Sequence, residues 1–333
     1  MAKSNFPNGK KFVFTIIDDT DDSTLENIKP IYDFLFQKGI KITKTVWVYP
    51  PRDEHSIGDS LQRPEYCEFI RDIKKKGFEI GLHNVGSGKY RRDEILNGLN
   101  EFREKLGEYP KIHINHSYNP DSIYGGYKRF HQPFSWIVRK MYRQYDNVFQ
   151  GENADSEYFW GDRHKEIIQF SRNHEFIGLN TSKFDSYMPY VDPNRSEFAN
   201  IWFSSTFAPN QWVFNHIVTK KAIRKLEQNN GVCIIFTHLG YFMKDGVIDQ
   251  GFVERINWLS ENPNGIYIPV SELLEKIADQ RKDKGLNAYP EIPILAKSFM
   301  EFRHLLTRFK YRKLLKLDDY AFKNLKKEMF IKK

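Results

Sequence analysis

Cysteine is almost missing from this chain: 333 residues hold two, Cys67 and Cys233. Two cysteines cannot make a disulfide framework, and they fall in segments patterned as a helix and a strand. They read as buried thiols of a reducing compartment. Long hydrophobic runs are missing too. The apolar stretches are short, Val232 to Phe236 being typical, against the about 20 residues that a membrane-spanning helix needs. The polar stretch from Met1 to Lys11 leads into no apolar segment of the kind a secretory signal carries. A cytoplasmic protein is the expectation. There is no internal repeat and no low-complexity tract. Most of the chain also lacks an excess of either charge. The formal net charge is +8, yet residues 297–333 alone hold twelve Lys/Arg against four Asp/Glu, so residues 1–296 are neutral. A neutral body argues against nucleic acid as a partner, whereas a basic tail fits local attraction to an anionic surface.

What the sequence does have is a set of apolar runs that each close on an acidic or histidine side chain. Residues 12–17 run into Asp18 and Asp19, 78–82 into His83, 111–115 into His116, and 232–237 into His238. Short apolar runs separated by helical patterns read as buried parallel strands. Helices are expected over residues 22–38, 64–76, 91–106, 134–143, 163–173, 214–228, 250–259 and 270–278. Gly39, Gly77 and Gly107 stand at helix stops. Further strands are expected over 40–48, 176–179, 201–204 and 266–268. Seven or eight such β–α units favour a barrel over an open sheet. In parallel barrels the C-terminal strand ends converge on the active site, so these side chains should share one cleft. The Pro290 to Pro293 stretch reads as a boundary, giving a barrel over 1–290 and a basic amphipathic helical tail over 291–333. Phe299, Phe302, Leu305, Leu306 and Phe309 recur at helical spacing in that tail. They are expected to pack on the barrel with the charges solvated. The sharper reading makes residues 297–333 a peripheral membrane contact.

The adjacent Asp18 and Asp19 should point different ways, one carboxylate free to ligate a metal and the other to face a substrate. His83 follows Gly81, which allows close backbone packing, and is a ligand candidate. His113 should be packed in the barrel wall, while His116, at the strand end, should reach the cleft as a further ligand. His238 sits before a glycine turn and is the candidate general acid. Trp160, Asp162 and Arg163 open a helix with mixed aromatic and charged groups and are candidate substrate-binding residues. Arg163 or Arg172 could also pair with a catalytic carboxylate. The aromatics of the loops over 118–162 would suit stacking on sugar rings.

At these positions the chain resembles the polysaccharide deacetylase superfamily (carbohydrate esterase family 4 and its relatives). The family's Thr-Phe-Asp-Asp strand is matched by Thr15-Ile16-Ile17-Asp18-Asp19, its Gly-x-Glu-Ile-Gly strand by Gly77 to Gly81 with His83 beyond, and its last strand-end histidine by His238. The resemblance implies a distorted (β/α)7 barrel over about residues 12–278 and a divalent metal, usually Zn2+. It implies Asp18 as general base, Asp19 and His83 as metal ligands and His238 as the acid. Two departures stand out. The family's second motif histidine falls at Ser87, and Asn115-His116-Ser117 stands near the place of its third motif. Either His116 supplies the missing ligand, or the protein is a non-catalytic carbohydrate-binding barrel. The implied function is deacylation of an N-acylated, nucleotide- or lipid-linked sugar in surface polysaccharide biosynthesis.

Overall fold

The computed structural model describes residues 6, 9–54, 56–141 and 148–315. Strand β1 (Phe12–Asp18) is buried along its whole length. A strand turns successive side chains to opposite faces. Val13 and Ile17 accordingly pack inside the sheet with Ile112, Ile234 and Phe236, while Phe14 and Ile16 pack outside with the helices. Six further parallel strands follow in chain order: β2 (Thr43–Val46), β3 (Glu79–Leu82), β4 (Ile112–His113), β5 (Phe170–Phe176), β6 (Ile201–Phe207) and β7 (Val232–Thr237). Strand β7 returns to β1, in register from Val13 against Val232 to Asp18 against Thr237. That pairing closes a seven-strand barrel, the fold expected from the sequence. A short antiparallel pair, β8 (Met243–Lys244) and β9 (Val247–Ile248), follows β7, and β10 (Gly265–Ile266) adds beside the start of β1.

Helices α1 (Leu25–Gln37), α2 (Pro64–Lys75), α3 (Arg92–Leu106), α4 (Phe134–Met141), α5 (Gly161–Ile167), α6 (Thr181–Phe184), α7 (Gln211–Ile217), α8 (Lys220–Gln228), α9 (Gln250–Ser260) and α10 (Val270–Lys282) connect them. Thr24 caps α1, its hydroxyl accepting from the Asn27 N–H. Gly107 ends α3 in the left-handed conformation, φ 86°, that glycine adopts without strain. Both cysteines are buried and unpaired.

Two expectations fail here. The helix expected over 163–173 stops at Ile167, and β5 begins at Phe170. Polar residues disguised that strand: Asn173 is fully buried and donates to the Tyr190 hydroxyl at 2.6 Å while accepting from Arg195 at 3.1 Å. The helix expected over 214–228 is two, because Thr219 breaks it and caps α8.

The tail begins as α11 (Ile294–Leu315), and residues 316–333 lie outside the described residues. Its orientation reverses the expected one. Lys297, Met300, Glu301 and Thr307 are buried, whereas Leu295, Phe299, Phe302 and Phe309 are exposed. Lys297 meets Asp192 at 2.6 Å, His131 lies 2.7 Å from Glu301, and Thr307 donates to the Glu175 carbonyl of β5. Met300 and Ile292 join the same apolar cluster as Val13 and Ile17, so this part of the tail is docked on the barrel.

Candidate metal centre and active site

Strand alternation separates the two aspartates that end β1. Asp18 points outward and is fully buried. Its Oδ2 lies 3.0 Å from Lys44 Nζ and accepts from the Tyr32 hydroxyl at 2.9 Å; its Oδ1 accepts from the Leu239 N–H at 2.8 Å. Burial pushes its carboxyl up, with the Lys44 ammonium as the main opposing influence. Asp18, expected as the general base, is therefore the acidic half of a buried ion pair. It joins β1 to β2, to α1 and to the turn after β7.

Asp19 turns inward. Its Oδ1 is 3.1 Å from His83 Nε2 and its Oδ2 is 3.9 Å from His238 Nε2. Two residues on, Asp21 Oδ1 lies 3.5 Å from His83 Nε2 and 3.3 Å from His116 Nε2. Burial alone would raise the Asp21 carboxyl, but the His116 and His83 contacts outweigh it and hold it well below the carboxylate range. Burial alone would depress His116, but Asp21 and then Asp19 push it up to about 9.

The tautomers follow from the acceptors. His83 Nδ1 meets the Ile114 carbonyl at 3.0 Å, and His238 Nδ1 meets the Pro209 carbonyl at 2.6 Å. His116 Nδ1 meets Asn119 Oδ1 at 3.0 Å, an oxygen that also accepts from the Gly88 N–H, while Asn119 Nδ2 donates to Gly86 O. All three partners are acceptors, so each Nδ1 carries the hydrogen and each Nε2 is left to face the carboxylates, bearing a proton in the charged ring and a lone pair in the neutral one. Three Nε2 atoms thus converge on two carboxylates, and the cationic charge that this arrangement favours can be supplied by protons on the rings or by a metal ion that replaces them.

The residues fit a divalent metal. Ligand atoms of Asp21, His83 and His116 lie within 4.8 Å of one another, as do those of Asp19, Asp21 and His238. His116 Nε2 and Asp21 Oδ1 are buried and make no hydrogen bond. Imidazole and carboxylate donors suit Zn2+ and its neighbours, and ligating histidines ordinarily give their other N–H to an oxygen, as these three do. Trp47, fully buried, backs both rings at centroid distances of 6.5 Å to His83 and 5.7 Å to His116. Asn84 Oδ1 accepts from the His116 N–H at 2.7 Å and Nδ2 donates to Asp121 at 2.7 Å.

Ser87, where the family motif has histidine, is buried and bonded to Ser56 at 2.8 Å and to Asp53. His116 stands beside His83 instead, their rings 4.9 Å apart. At the mouth, the Tyr241 ring lies 5.6 Å from His238 and is partly exposed.

The expected substrate residues are not brought to this cluster. Trp160 is fully buried, its indole donating to the Asp121 carbonyl at 2.6 Å. Asp162 pairs with Arg92 of α3 at 2.6 Å, and Arg163 with Glu166 and with the Tyr109 hydroxyl. Both line a groove of about 260 Å³ between α3 and α5. Arg172 pairs with Glu175 at 3.2 Å. His113 is packed against His164 and Trp160 in the wall, as expected. The residue that sequence reasoning passed over is Asp21. Thr24 does the capping, which leaves Asp21 spare, and its place two residues from Asp19 was the available signal.

Fold and site define a closed parallel β/α barrel whose strand ends gather an aspartate–histidine centre fit for a divalent cation. No family model matches the chain, and no curated protein matches it either. Solved structures align with it at low identity. The Puue allantoinase is 10% identical over 80% of this chain and 90% of its own, with a TM-score of 0.49. The catalytic domain of a peptidoglycan N-acetylglucosamine deacetylase from Eubacterium rectale is 13% identical over 81% and 92%, with a TM-score of 0.36. A family 4 acetyl xylan esterase from Clostridium thermocellum, solved with a cobalt ion, is 14% identical over 85% and 100%, with a TM-score of 0.35. At such identities the chemistry has to be read from this chain's own residues.

Proposed function

We propose that the protein is a metal-dependent amide hydrolase that removes the acyl group of an N-acylated sugar, on a nucleotide- or lipid-linked substrate of surface polysaccharide biosynthesis. The observation that carries the reading is the convergence of the Nε2 atoms of His83, His116 and His238 on Asp19 and Asp21. Asp21, His83 and His116 would hold the cation, Zn2+ being the species the resemblance implies. Such a cation supplies a Lewis acid for the amide carbonyl and for water. Asp19, free of the partners that engage Asp18, takes the proton of the attacking water as general base. Asp19 passes that proton to His238 Nε2, 3.9 Å away, and His238 gives it from Nε2 to the leaving nitrogen. The Tyr241 ring offers a face on which a sugar can stack.

A second reading, a glycan-binding barrel without turnover, is favoured by one feature: the aspartate at the family's base position is held in an ion pair. Elemental analysis with an acetate-release assay on N-acetylated sugar nucleotides separates the two. About one ion per chain is expected, lost in Asp21→Ala and His116→Ala. Asp19→Asn is expected to keep substrate binding while turnover falls by about 10²–10⁴. A protein that stays metal-free after supplementation yet binds glycans would establish the second reading.

A further inference from the structure

Helix α11 is amphipathic with its faces exchanged. A docked surface helix ordinarily buries its apolar stripe and shows its charges to water. Here Lys297, Glu301 and Thr307 are buried, at 2%, 0% and 6% exposure, against Asp192, His131 and the Glu175 carbonyl. Leu295, Phe299, Phe302 and Phe309 are left exposed at 81%, 55%, 48% and 65%. These four stand at i, i+4, i+7 and i+14, so they share one face of the helix. Specific polar partners hold the other face, so the helix cannot turn its phenylalanines inward without stranding a buried lysine and a buried glutamate.

Charge says what covers that face. Arg303 lies over the Phe299 ring at 4.0 Å, between the exposed stripe and the barrel, and donates to the Lys183 carbonyl. Lys310 and Lys313 are exposed on the same helix. The whole +8 of the chain falls within residues 297–333. Helix α4 is tied to this region through His131, whose imidazole touches both Glu301 and Ser298. It exposes Trp136 and Met141, with Lys140 over the Trp136 ring at 3.9 Å. Aromatic side chains bordered by Lys and Arg match the acyl–headgroup boundary of an anionic bilayer. A second copy of the chain seated on the same face would instead bring like charges together. No described helix is long and apolar enough to cross a membrane, so contact through α11 would be by lying on the surface.

We infer that α11 docks this protein on anionic phospholipid through its exposed Leu295, Phe299, Phe302 and Phe309 face and the basic residues beside it. The inference is independent of the proposed reaction, since no residue of the metal centre takes part in it. The test is co-sedimentation of the full chain with phosphatidylcholine vesicles and with vesicles that also contain phosphatidylglycerol. At least about a tenfold preference for the anionic vesicles is expected, weakened by salt. The triple variant Phe299→Ala, Phe302→Ala, Phe309→Ala should lose at least about tenfold in binding. Its denaturation midpoint should stay unchanged, because all three rings are exposed. A second variant, Lys310→Glu with Lys313→Glu, should weaken binding without touching the apolar face. The inference is overturned by no binding, by equal binding to both vesicle types, or by undiminished binding of the triple variant. A concentration-dependent dimer that the triple variant abolishes would also overturn it, by showing that a second copy covers the face.

Discussion

Two neighbouring aspartates with the same chemistry have opposite duties, and the strand's alternation decides which is which. Asp18 faces outward to Lys44 and Tyr32; Asp19 faces inward to His83 and His238. A buried ion pair contributes little net stability, but breaking it leaves an unpaired charge in a dry interior. Lys44→Met is therefore expected to destabilise the fold by about 3–5 kcal/mol, read from the denaturant midpoint. Lys44→Met with Asp18→Leu should recover much of that loss. If the unpaired Asp18 charge were not the source of the loss, the double variant would stay as unstable as the single one. The adjacency of the pair was legible in the sequence, but its division of labour was not. Spacing along a strand gives parity without saying which parity faces the barrel interior, and Lys44 gave no sign of its partner.

Among the elements, α11 carries a proton whose place can be argued. Ser298 donates its hydroxyl hydrogen to the Ile294 carbonyl at 2.8 Å, so the His131 Nε2–H must donate to Ser298. Burial, together with the Lys297 charge, pulls the His131 ring below its usual range, and in the neutral ring Nδ1 is an acceptor 2.7 Å from Glu301, which then supplies the hydrogen. Burial, with Lys297 opposing it, pushes the Glu301 carboxyl up to about 7, in agreement with a protonated acid. The sign of the effect follows from linkage. A group whose folded pKa lies above its unfolded value contributes stability that is complete below the unfolded pKa, near 4.5, and is lost as pH rises through about 7. Hydrogen-exchange protection of α11 should fall across that window, and Glu301→Gln should flatten the fall. An unchanged pH profile in the variant would show that another group is responsible. The helix itself was legible from its apolar spacing, but its orientation was not, because amphipathic logic assigns the apolar face to the core and is here overruled by buried polar partners.

The molecule as a whole was read from its strand ends. β1, β3 and β7 are apolar runs closed by a polar residue, and these fixed the barrel; β5 escaped because its buried face is polar. The centre draws its donors from several strand ends, as barrels do, so three histidines far apart in sequence were readable together. A bound ligand stabilises the folded state by mass action. At a metal concentration about 100 times its dissociation constant, unfolding should cost about 2.7 kcal/mol more than in chelator. That difference should vanish in Asp21→Ala, measured by denaturation with and without chelator; its persistence would place the cation elsewhere.

The closure of β7 on β1 sets an order of events. Asp21, His83 and His116 are all present once the chain has reached β4, whereas His238 is made about half a barrel later and meets Asp19 only when the first and last strands pair. During synthesis, which runs from the N-terminus, the residues that would grip a cation are complete before His238, the proposed proton donor, exists. In the proposed reaction, loading and turnover would thereby be separable, the seam between the two terminal strands being the last part of the site to form.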